Sequence, residues 1–499
     1  MSQGLNKNYL IAFLTTFSSF FLIYGYKILR LGLAGDEMWD LSEPCWQLYV
    51  AQGRWVIPLY RWLTSTDQMV PFAYGIAAGG FYSGAVVLQA HILRLRTWRG
   101  RMLFIGISLG ILQINNLMSV AWMQDCVCLG ILLISFSYYL LRIWKRKLTF
   151  SRCVWVVLIG IFAASTYQTV ILVFMALLGG DLLLNQHNRW AFRWKKIILV
   201  IFSIVFGFYA VKLLMVRAML HFFHESQVYI SCVYYYHGYL MSWSQNDFWE
   251  HASIVLNTLF RLLGGADSKE CWFYGATLIP LLMLIRYSRR NAYRIIIAIL
   301  IYLLPFSPIV LMGDVIGTPS AFTRLYTSEP LSAAILWVGV LHHIPPRFNR
   351  LVLRCVVLLF FVLILKGSYI VSDLAFIEKR TYDFSVRTAS EIRIHARLAT
   401  RVPQGVDINS IPIVVVGGVP FHGGNTRYDD KGTRFFNGFL FRSHSFDDMT
   451  FICCRDMNIL SRDPFMKRIL DLPEYPKDGC SVYIDGVIYV RCPNPSGEW

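Results

Sequence analysis

Long apolar segments recur along this chain, and they constrain its fold more than any other feature. A bilayer core requires about 20 predominantly apolar residues per helix. The segments that approach this length cover residues 9–31, 71–93, 102–119, 123–143, 153–166, 168–184, 197–216, 273–286, 294–312, 331–344 and 351–371. The chain is 56% hydrophobic and only 15% charged. Together these features predict a polytopic α-helical membrane protein with about eleven spans.

The chain has a net charge of +17, and its basic residues occur in a pattern that indicates how the chain is oriented in the membrane. Basic residues are grouped in alternate short loops, which hold 20 of the 47 lysines and arginines at residues 94–101, 142–152, 189–196, 286–294 and 347–354. Short basic loops remain in the cytoplasm. The N-terminus is therefore expected inside, with the first loop, the long connection 217–272 and the C-terminal region all exported. This distribution argues against nucleic acid as a partner.

Two regions differ in composition. Residues 1–371 form the predicted membrane body, which includes the first exported loop (31–70) and the exported connection 217–272. From residue 372 to residue 499 the long apolar runs stop and charges of both signs appear. This second region is predicted to be a small exported α/β domain that contains a helix at 374–400 and a buried strand at 411–416.

The last part of this C-terminal region carries a hairpin signal. Asp485-Gly486 suits a two-residue type I′ turn between β-rich segments. Cys480 and Cys492 flank the hairpin, and disulfides persist outside the cytoplasm. The expected bridges join these two cysteines to each other or to the Cys453-Cys454 pair.

The first exported loop holds the densest group of side chains suited to catalysis. Asp36, Glu37 and Asp40 stand beside Trp39, just after the first apolar span. Sugar transfer from a lipid phosphate requires a base for the acceptor hydroxyl and a surface that stacks on the sugar. Asp36 and Glu37 are adjacent and point in different directions, so one of them is the expected base. The other would orient the base, bind sugar hydroxyls or hold a divalent cation; the alternative is that all three acids solvate the loop.

Three arginines stand on the predicted outer side against the charge bias: Arg54 and Arg61 in the first loop, and Arg324 in a later connection. Arginine is suited to bidentate binding of phosphate. We expect Arg54 and Arg324 to bind the donor phosphate; ion pairing with nearby acids is the alternative for all three.

Polar residues also occur at two predicted outer turns between spans. Tyr167 and Gln168 lie between the fifth and sixth spans, and Gln124-Asp125 lies between the third and fourth. Polar groups at such depth are often functional, although helix ends also need polar caps. We expect either sugar contacts or caps here. No metal-binding motif is present in the sequence, and no cofactor is predicted.

The chain resembles the GT-C class of membrane glycosyltransferases, and within it the bacterial and prophage-encoded O-antigen glucosyltransferases that convert serotype. The resemblance rests on the overall layout and on four short motifs: Asp36-Glu37, Gln52-Gly-Arg-Trp55, the Ser-Thr-Tyr-Gln stretch that ends at Gln168, and Pro305 through Gly313 to Arg324. It implies a GT-C-like catalytic body in the inner membrane, with the C-terminal domain in the periplasm.

The same resemblance implies the reaction. The donor would be undecaprenyl phosphate glucose, and the acceptor would be a hydroxyl on the lipid-linked O-antigen repeat. Class members invert at the anomeric carbon, so a β-linked donor would give an α-linked branch. Asp36 or Glu37 would be the base, while Arg54 and Arg324 would bind the phosphate.

Other functions remain open on the sequence. A flippase for lipid-linked oligosaccharides would need charged or broken helices at the midplane and a repeat between halves, and the sequence shows neither clearly. A GT-C enzyme could also act on lipid A or protein. A third possibility is a sensor or assembly partner whose C-terminal domain binds polysaccharide without catalysis.

Overall fold

A computed structural model of the chain describes most of the predicted membrane body and parts of the C-terminal region. The described residues are 2–29, 49–50, 53–64, 71–111, 121–144, 149–184, 194–223, 249, 253, 256, 276–289, 291–307, 327–345, 348–404, 406–416, 420–421, 434–435, 449–452 and 468–492. The described residues up to Ser372 belong to one compact unit, and those from Asp373 onward belong to a second.

The first unit is helical. In chain order its helices are α1 Ser2–Leu29, α2 Val56–Leu63, α3 Pro71–Ile92, α4 Trp98–Gly110, α5 Ala121–Trp144, α6 Phe150–Ala164, α7 Ile171–Leu184, α8 Trp194–Phe223, α9 Leu278–Tyr287, α10 Ala292–Leu303, α11 Glu329–Leu341 and the start of α12 Asn349–Ala399. Short 3-10 turns at Gln168–Val170 and Leu304–Phe306 precede α7 and follow α10.

Four of the described helices are long and apolar enough to cross a membrane. The qualifying segments are Lys7–Leu29, Gln124–Trp144, Ile197–Ala218 and Asn349–Ser372. Five further apolar segments of 10–17 residues are shorter than a bilayer requires. A helix lies within each predicted span, while the count of eleven membrane crossings stays a prediction.

Local sequence explains several helix boundaries. The Thr97 hydroxyl caps α4 by accepting from the Gly100 N–H, and the Asn291 side chain caps α10 by accepting from the Arg294 N–H. Both are residue types that satisfy the unpaired N–H groups of a first turn. Each helix therefore begins where its cap stands, within a few residues of the predicted span.

The last predicted span and the helix predicted after it are one element. Helix α12 runs without a break for 51 residues, from Asn349 to Ala399. The change of composition near residue 372 led the sequence analysis to separate the two segments. No glycine or proline occurs between Ser368 and Ala399, so nothing in this stretch stops the helix. It ends shortly before Pro403, in agreement with the rule that helices stop ahead of proline.

The second unit contains a four-stranded sheet of strands β1 Ile413–Val416, β4 Met449–Ile452, β5 Ser481–Ile484 and β6 Val487–Arg491. Strand β1 is central and pairs in parallel with both β4 and β6, and β5 pairs antiparallel with β6. Two short strands, β2 Pro420–Phe421 and β3 Arg434–Phe435, pair separately. The strand predicted at 411–416 is thus confirmed, beginning two residues later than expected.

The predicted hairpin is confirmed, and one of its predicted disulfides is wrong. Asp485 and Gly486 have φ of +47° and +84°, as a type I′ turn requires. Cys480 is a reduced thiol, so it does not bridge to Cys492. Its Sγ lies 3.3 Å from His395 Nε2. Burial raises the pKa of the Cys480 thiol, which disfavours the reactive thiolate. Cys453 and Cys454 lie outside the described residues.

Candidate functional site

The structure describes three of the eight predicted site residues. The other five, which lie outside the described residues, are Asp36, Glu37, Trp39, Asp40 and Arg324. The three that are described come from two parts of the sequence, Arg54 from the first loop and Tyr167-Gln168 from a later turn, and they meet at one place. We call these three residues, together with Lys212 on helix α8, the outer cluster, because the loop and the turn are predicted to face the exported side.

Arg54 is held by a tight turn that precedes helix α2. Its N–H donates to the Tyr49 carbonyl oxygen at 2.7 Å. Gly53 has a φ of +82°, in the left-handed region that glycine adopts without steric cost. A Cβ at Gly53 would lie 2.9 Å from Phe208 Cζ and 3.0 Å from Lys212 Cδ. Both the backbone angle and the close approach of helix α8 therefore require glycine beside Arg54.

The side chain of Arg54 contacts the other two predicted residues. Its Cζ lies 4.6 Å from the centre of the Tyr167 ring, within the range of a cation–π interaction. Its Nε donates to Gln168 Oε1 at 3.4 Å, across a sequence separation of 114 residues. Tyr167 is buried and Arg54 is half-buried. These contacts hold the guanidinium in one orientation at the end of the helices.

A second cation, Lys212 on helix α8, belongs to the same cluster. Its aliphatic chain packs over Gly53, and the positive charge of Arg54 acts on it. Positively charged side chains that lie close together are suited to charge-assisted hydrogen bonds with a phosphate group. The outer cluster is therefore suited electrostatically to a phosphate.

The turn that carries Gln168 also contacts the beginning of helix α11. The Thr327 hydroxyl donates to the Thr169 carbonyl oxygen at 2.8 Å and lies 3.1 Å from the Thr169 hydroxyl oxygen. Ser328 and Glu329 follow and are both buried. The carboxylate of Glu329 lies in the first turn of α11, where the helix dipole stabilises negative charge. Thr327, which precedes α11, is thus hydrogen-bonded to the 3-10 turn.

Arg61 has a structural partner, which makes ion pairing, not phosphate binding, its role. Its guanidinium donates twice to the Asp125 carboxylate, at 2.9 and 2.5 Å, and lies over the Tyr74 ring at 3.6 Å from its centre. The two charged side chains are only 3% and 1% exposed. Asp125 is consequently a buried ion-pair partner rather than a sugar contact. The pKa of Tyr60, which lies next to Arg61, is raised to about 12, mainly by burial and then by the negative charge of Asp125.

A second buried ion pair lies at the other end of helix α5. Arg142 and Asp181 are 3.0 Å apart, and Asp181 is fully buried. The Tyr138 hydroxyl donates to the same carboxylate at 3.3 Å. Arg142 was predicted to lie in a basic cytoplasmic loop. It lies instead in the last turn of α5, where it pairs with Asp181. Asp125 and Arg142 are 17 residues apart on α5, or roughly 26 Å at 1.5 Å per residue, close to the thickness of a bilayer core.

The sequence analysis missed Lys212 and the partner of Arg61. In both cases the available signal was a charged residue within an otherwise apolar segment, which usually has a specific role. Spacing could not supply the pairing, because Arg61 and Asp125 are 64 residues apart.

Among the described residues, no three His, Cys, Asp or Glu side chains lie close enough together to hold a metal ion. Comparison with protein-family models, curated proteins and solved structures finds no match to this chain.

Proposed function

We propose that the chain is a glycosyltransferase of the bacterial inner membrane. It transfers a glucosyl or other hexosyl residue from undecaprenyl phosphate-sugar to a hydroxyl of the lipid-linked O-antigen repeat, on the periplasmic side, with inversion at the anomeric carbon. The observation that carries the proposal is the outer cluster. Arg54, Tyr167 and Gln168 were each chosen from the sequence for a substrate role, and they are in contact.

The leaving group of this reaction is a polyprenyl phosphate, which gains negative charge as the bond to the sugar breaks. Positive side chains held in place before the reaction stabilise such charge strongly. Arg54 and Lys212 supply two positive charges, and the contacts of Arg54 with Tyr167 and Gln168 fix its guanidinium. We propose that this pair receives the phosphate. Arg324, three residues before Thr327 in the sequence, is proposed as a further phosphate ligand.

The acids of the first loop complete the proposed reaction. Asp36 or Glu37 takes the proton from the acceptor hydroxyl, whose oxygen then attacks the anomeric carbon from the face opposite the phosphate. Attack from that face inverts the configuration. Trp39 is proposed to stack on the sugar and Asp40 to bind its hydroxyls, since an aromatic ring and a carboxylate are suited to these contacts.

The experiment is expression of the full chain in a strain with a defined O-antigen, followed by analysis of the polysaccharide for a new hexose branch. The Arg54→Ala variant should lose transfer by roughly a hundredfold or more, as expected for removal of a charge-stabilising group. Arg387→Ala is the matched control, because Arg387 is 81% exposed and pairs with Glu391 one turn along the same helix. Normal branching by Arg54→Ala at equal protein level would refute the phosphate role of the outer cluster.

The base is tested in the same strain. Asp36→Asn and Glu37→Gln keep the size of each side chain and remove its negative charge. One of the two should abolish transfer, while the protein still inserts and accumulates. If both variants form the branch at the normal rate, the base lies elsewhere. A wild-type chain that forms no branch, but alters the amount of lipid-linked repeat outside the membrane, would favour the flippase alternative.

A further inference from the structure

A second group of basic side chains lies at the opposite, predicted cytoplasmic, ends of the helices. Four helix ends contribute to it: α4, α10 and α12 begin here, and α11 ends here. We call Arg99, Arg294, His342 and His343 the inner basic cluster. It has no part in the proposed transfer reaction.

Contacts between the helices link these residues into one group. The Arg99 guanidinium donates to Asn349 Oδ1 at the start of α12. The charge of Arg99 acts on the His342 imidazole, and that of Arg294 acts on His343. Tyr287 stacks on His343, with ring centres 5.1 Å apart and planes inclined by 12°. Two guanidinium groups and two imidazoles are thus within electrostatic range of their neighbours.

No carboxylate in the described part of the chain forms an ion pair with this group. The basic segments on the predicted inner side, residues 94–101, 142–152, 185–196, 286–294 and 342–354, contain neither aspartate nor glutamate. In the described part of the chain, every ion pair found joins other residues: Arg61 with Asp125, Arg142 with Asp181, Arg387 with Glu391 and Arg491 with Glu474. The two guanidinium groups of the inner basic cluster therefore have no carboxylate partner among the described residues.

The positions of the two arginines add to this imbalance. Arg99 and Arg294 lie in the first turns of α4 and α10, where the helix dipole already places positive charge. A basic side chain there is unfavourable by itself, and an anion there is favourable. An external anion would offset the charge of both guanidinium groups and their mismatch with the dipoles.

Apolar side chains around the cluster indicate which anion it takes. Phe348 and Leu351, beside Asn349, are 43% and 60% exposed, and Trp98, beside Arg99, is 39% exposed. A free phosphate ion gains nothing from contact with apolar side chains, whereas the acyl chains and glycerol backbone of a lipid would cover them. We propose that the inner basic cluster is a binding site for the phosphate of an anionic phospholipid headgroup.

The test uses the purified full-length chain in nanodiscs of phosphatidylcholine with an increasing fraction of phosphatidylglycerol. Lipid retained by the protein is counted by native mass spectrometry after release from the disc. Wild type should retain phosphatidylglycerol selectively. The Arg99→Ala/Arg294→Ala double variant should bind it roughly a hundredfold more weakly, because each arginine would lose a hydrogen bond to the charged phosphate, worth about a factor of ten.

Arg96→Ala/Arg152→Ala is the matched control, because it removes the same total charge from the same predicted side outside the cluster. Arg99→Lys/Arg294→Lys keeps the charge and should recover most of the binding. Size-exclusion chromatography establishes that each variant is folded and monodisperse. The proposal is overturned if the two alanine double variants lose phosphatidylglycerol equally. It is also overturned if inorganic phosphate displaces the lipid at millimolar concentration, which would indicate a site for the free ion.

Discussion

At the scale of single residues, Arg61 and Asp125 form an ion pair that is almost completely buried. The carboxylate accepts two hydrogen bonds from one guanidinium, and that guanidinium is stacked on Tyr74. Removal of one partner would leave the other charge buried without compensation. Such a change is far more damaging than the loss of an exposed pair.

We therefore expect Arg61→Ala to lower the free energy of unfolding by about 3–5 kcal/mol. Replacement of both partners, as in Arg61→Met/Asp125→Leu, should restore most of that loss, since no charge is left buried. Arg387→Ala breaks an exposed pair and should change stability by roughly 0.5 kcal/mol or less. Tryptophan fluorescence during unfolding in mixed micelles gives all three values; an Arg61→Ala protein as stable as Arg387→Ala would contradict the structure.

Two glycines with nearly the same backbone angle separate the effect of that angle from the effect of crowding in the turn beside Arg54. Gly53 and Gly486 have almost the same φ, +82° and +84°, but only Gly53 is crowded. A Cβ at Gly486 meets nothing within 4 Å, whereas one at Gly53 meets Phe208 and Lys212.

Gly486→Ala should therefore lower stability by about 1 kcal/mol, from the backbone alone. Gly53→Ala should lower it by a further 1–3 kcal/mol or so, because of overpacking, and should reduce hexose transfer by displacing Arg54. Stability and transfer are measured on the same preparations. Equal effects of the two substitutions on both quantities would show that helix α8 does not pack against the turn.

At the scale of elements, close approach between helices α5 and α6 depends on a residue without a side chain. A Cβ at Gly130 would lie 2.0 Å from Thr166 Oγ1 and 3.2 Å from the Ala163 carbonyl oxygen. The Thr166 hydroxyl already donates to that same oxygen at 2.7 Å. Neither the Ala163 backbone nor the hydrogen-bonded Thr166 hydroxyl can move aside easily to make room for an added Cβ.

Gly130→Ala should consequently reduce the free energy of unfolding by about 1–3 kcal/mol. Gly80→Ala is the control on helix α3, where a Cβ meets nothing within 4 Å. That substitution should be neutral or stabilising, because alanine is the better helix former. Thermal unfolding of both variants in the same detergent decides the matter, and a lower midpoint for Gly80→Ala than for Gly130→Ala would be inconsistent with this packing.

Elements were predictable from the sequence where their signals are local. The hairpin around Asp485-Gly486 and the caps at Thr97 and Asn291 follow from residue type and position. The continuity of α12 was missed because a change in composition was given more weight than the absence of a helix breaker. Parallel pairing of β1 with both β4 and β6 has no local signal, since the partners are distant in the chain.

At the scale of the whole molecule, the sequence predicts orientation from charge, and the structure adds contacts that depend on tertiary packing. Apolar length and basic loops located the helices and their polar ends. The sequence also selected Arg54, Tyr167 and Gln168, but only packing shows that they meet. The pairing of Arg61 with Asp125 could not be deduced, because partners in an ion pair across helices share no spacing rule. Lys212 was recognisable only as a charge within an apolar segment.

The predicted orientation has a direct test in the intact cell. Single cysteines placed at Asp36 and after Trp499 should react with a membrane-impermeant maleimide, whereas one at Lys147 should react only after the membrane is permeabilised. This follows from the retention of short basic loops in the cytoplasm. Protection of the position-36 cysteine in intact cells would place the first loop inside and remove the proposed base from the donor.

The central claim is transfer of a sugar from a lipid phosphate, and reconstitution measures it most directly. The purified full chain in nanodiscs is supplied with β-linked undecaprenyl phosphate glucose and lipid-linked O-antigen repeat, and the anomeric configuration of the product is determined by NMR. We predict an α-linked branch, released undecaprenyl phosphate in equal amount, and loss of both in Arg54→Ala. A β-linked product, or no transfer by the wild-type chain, would contradict the account.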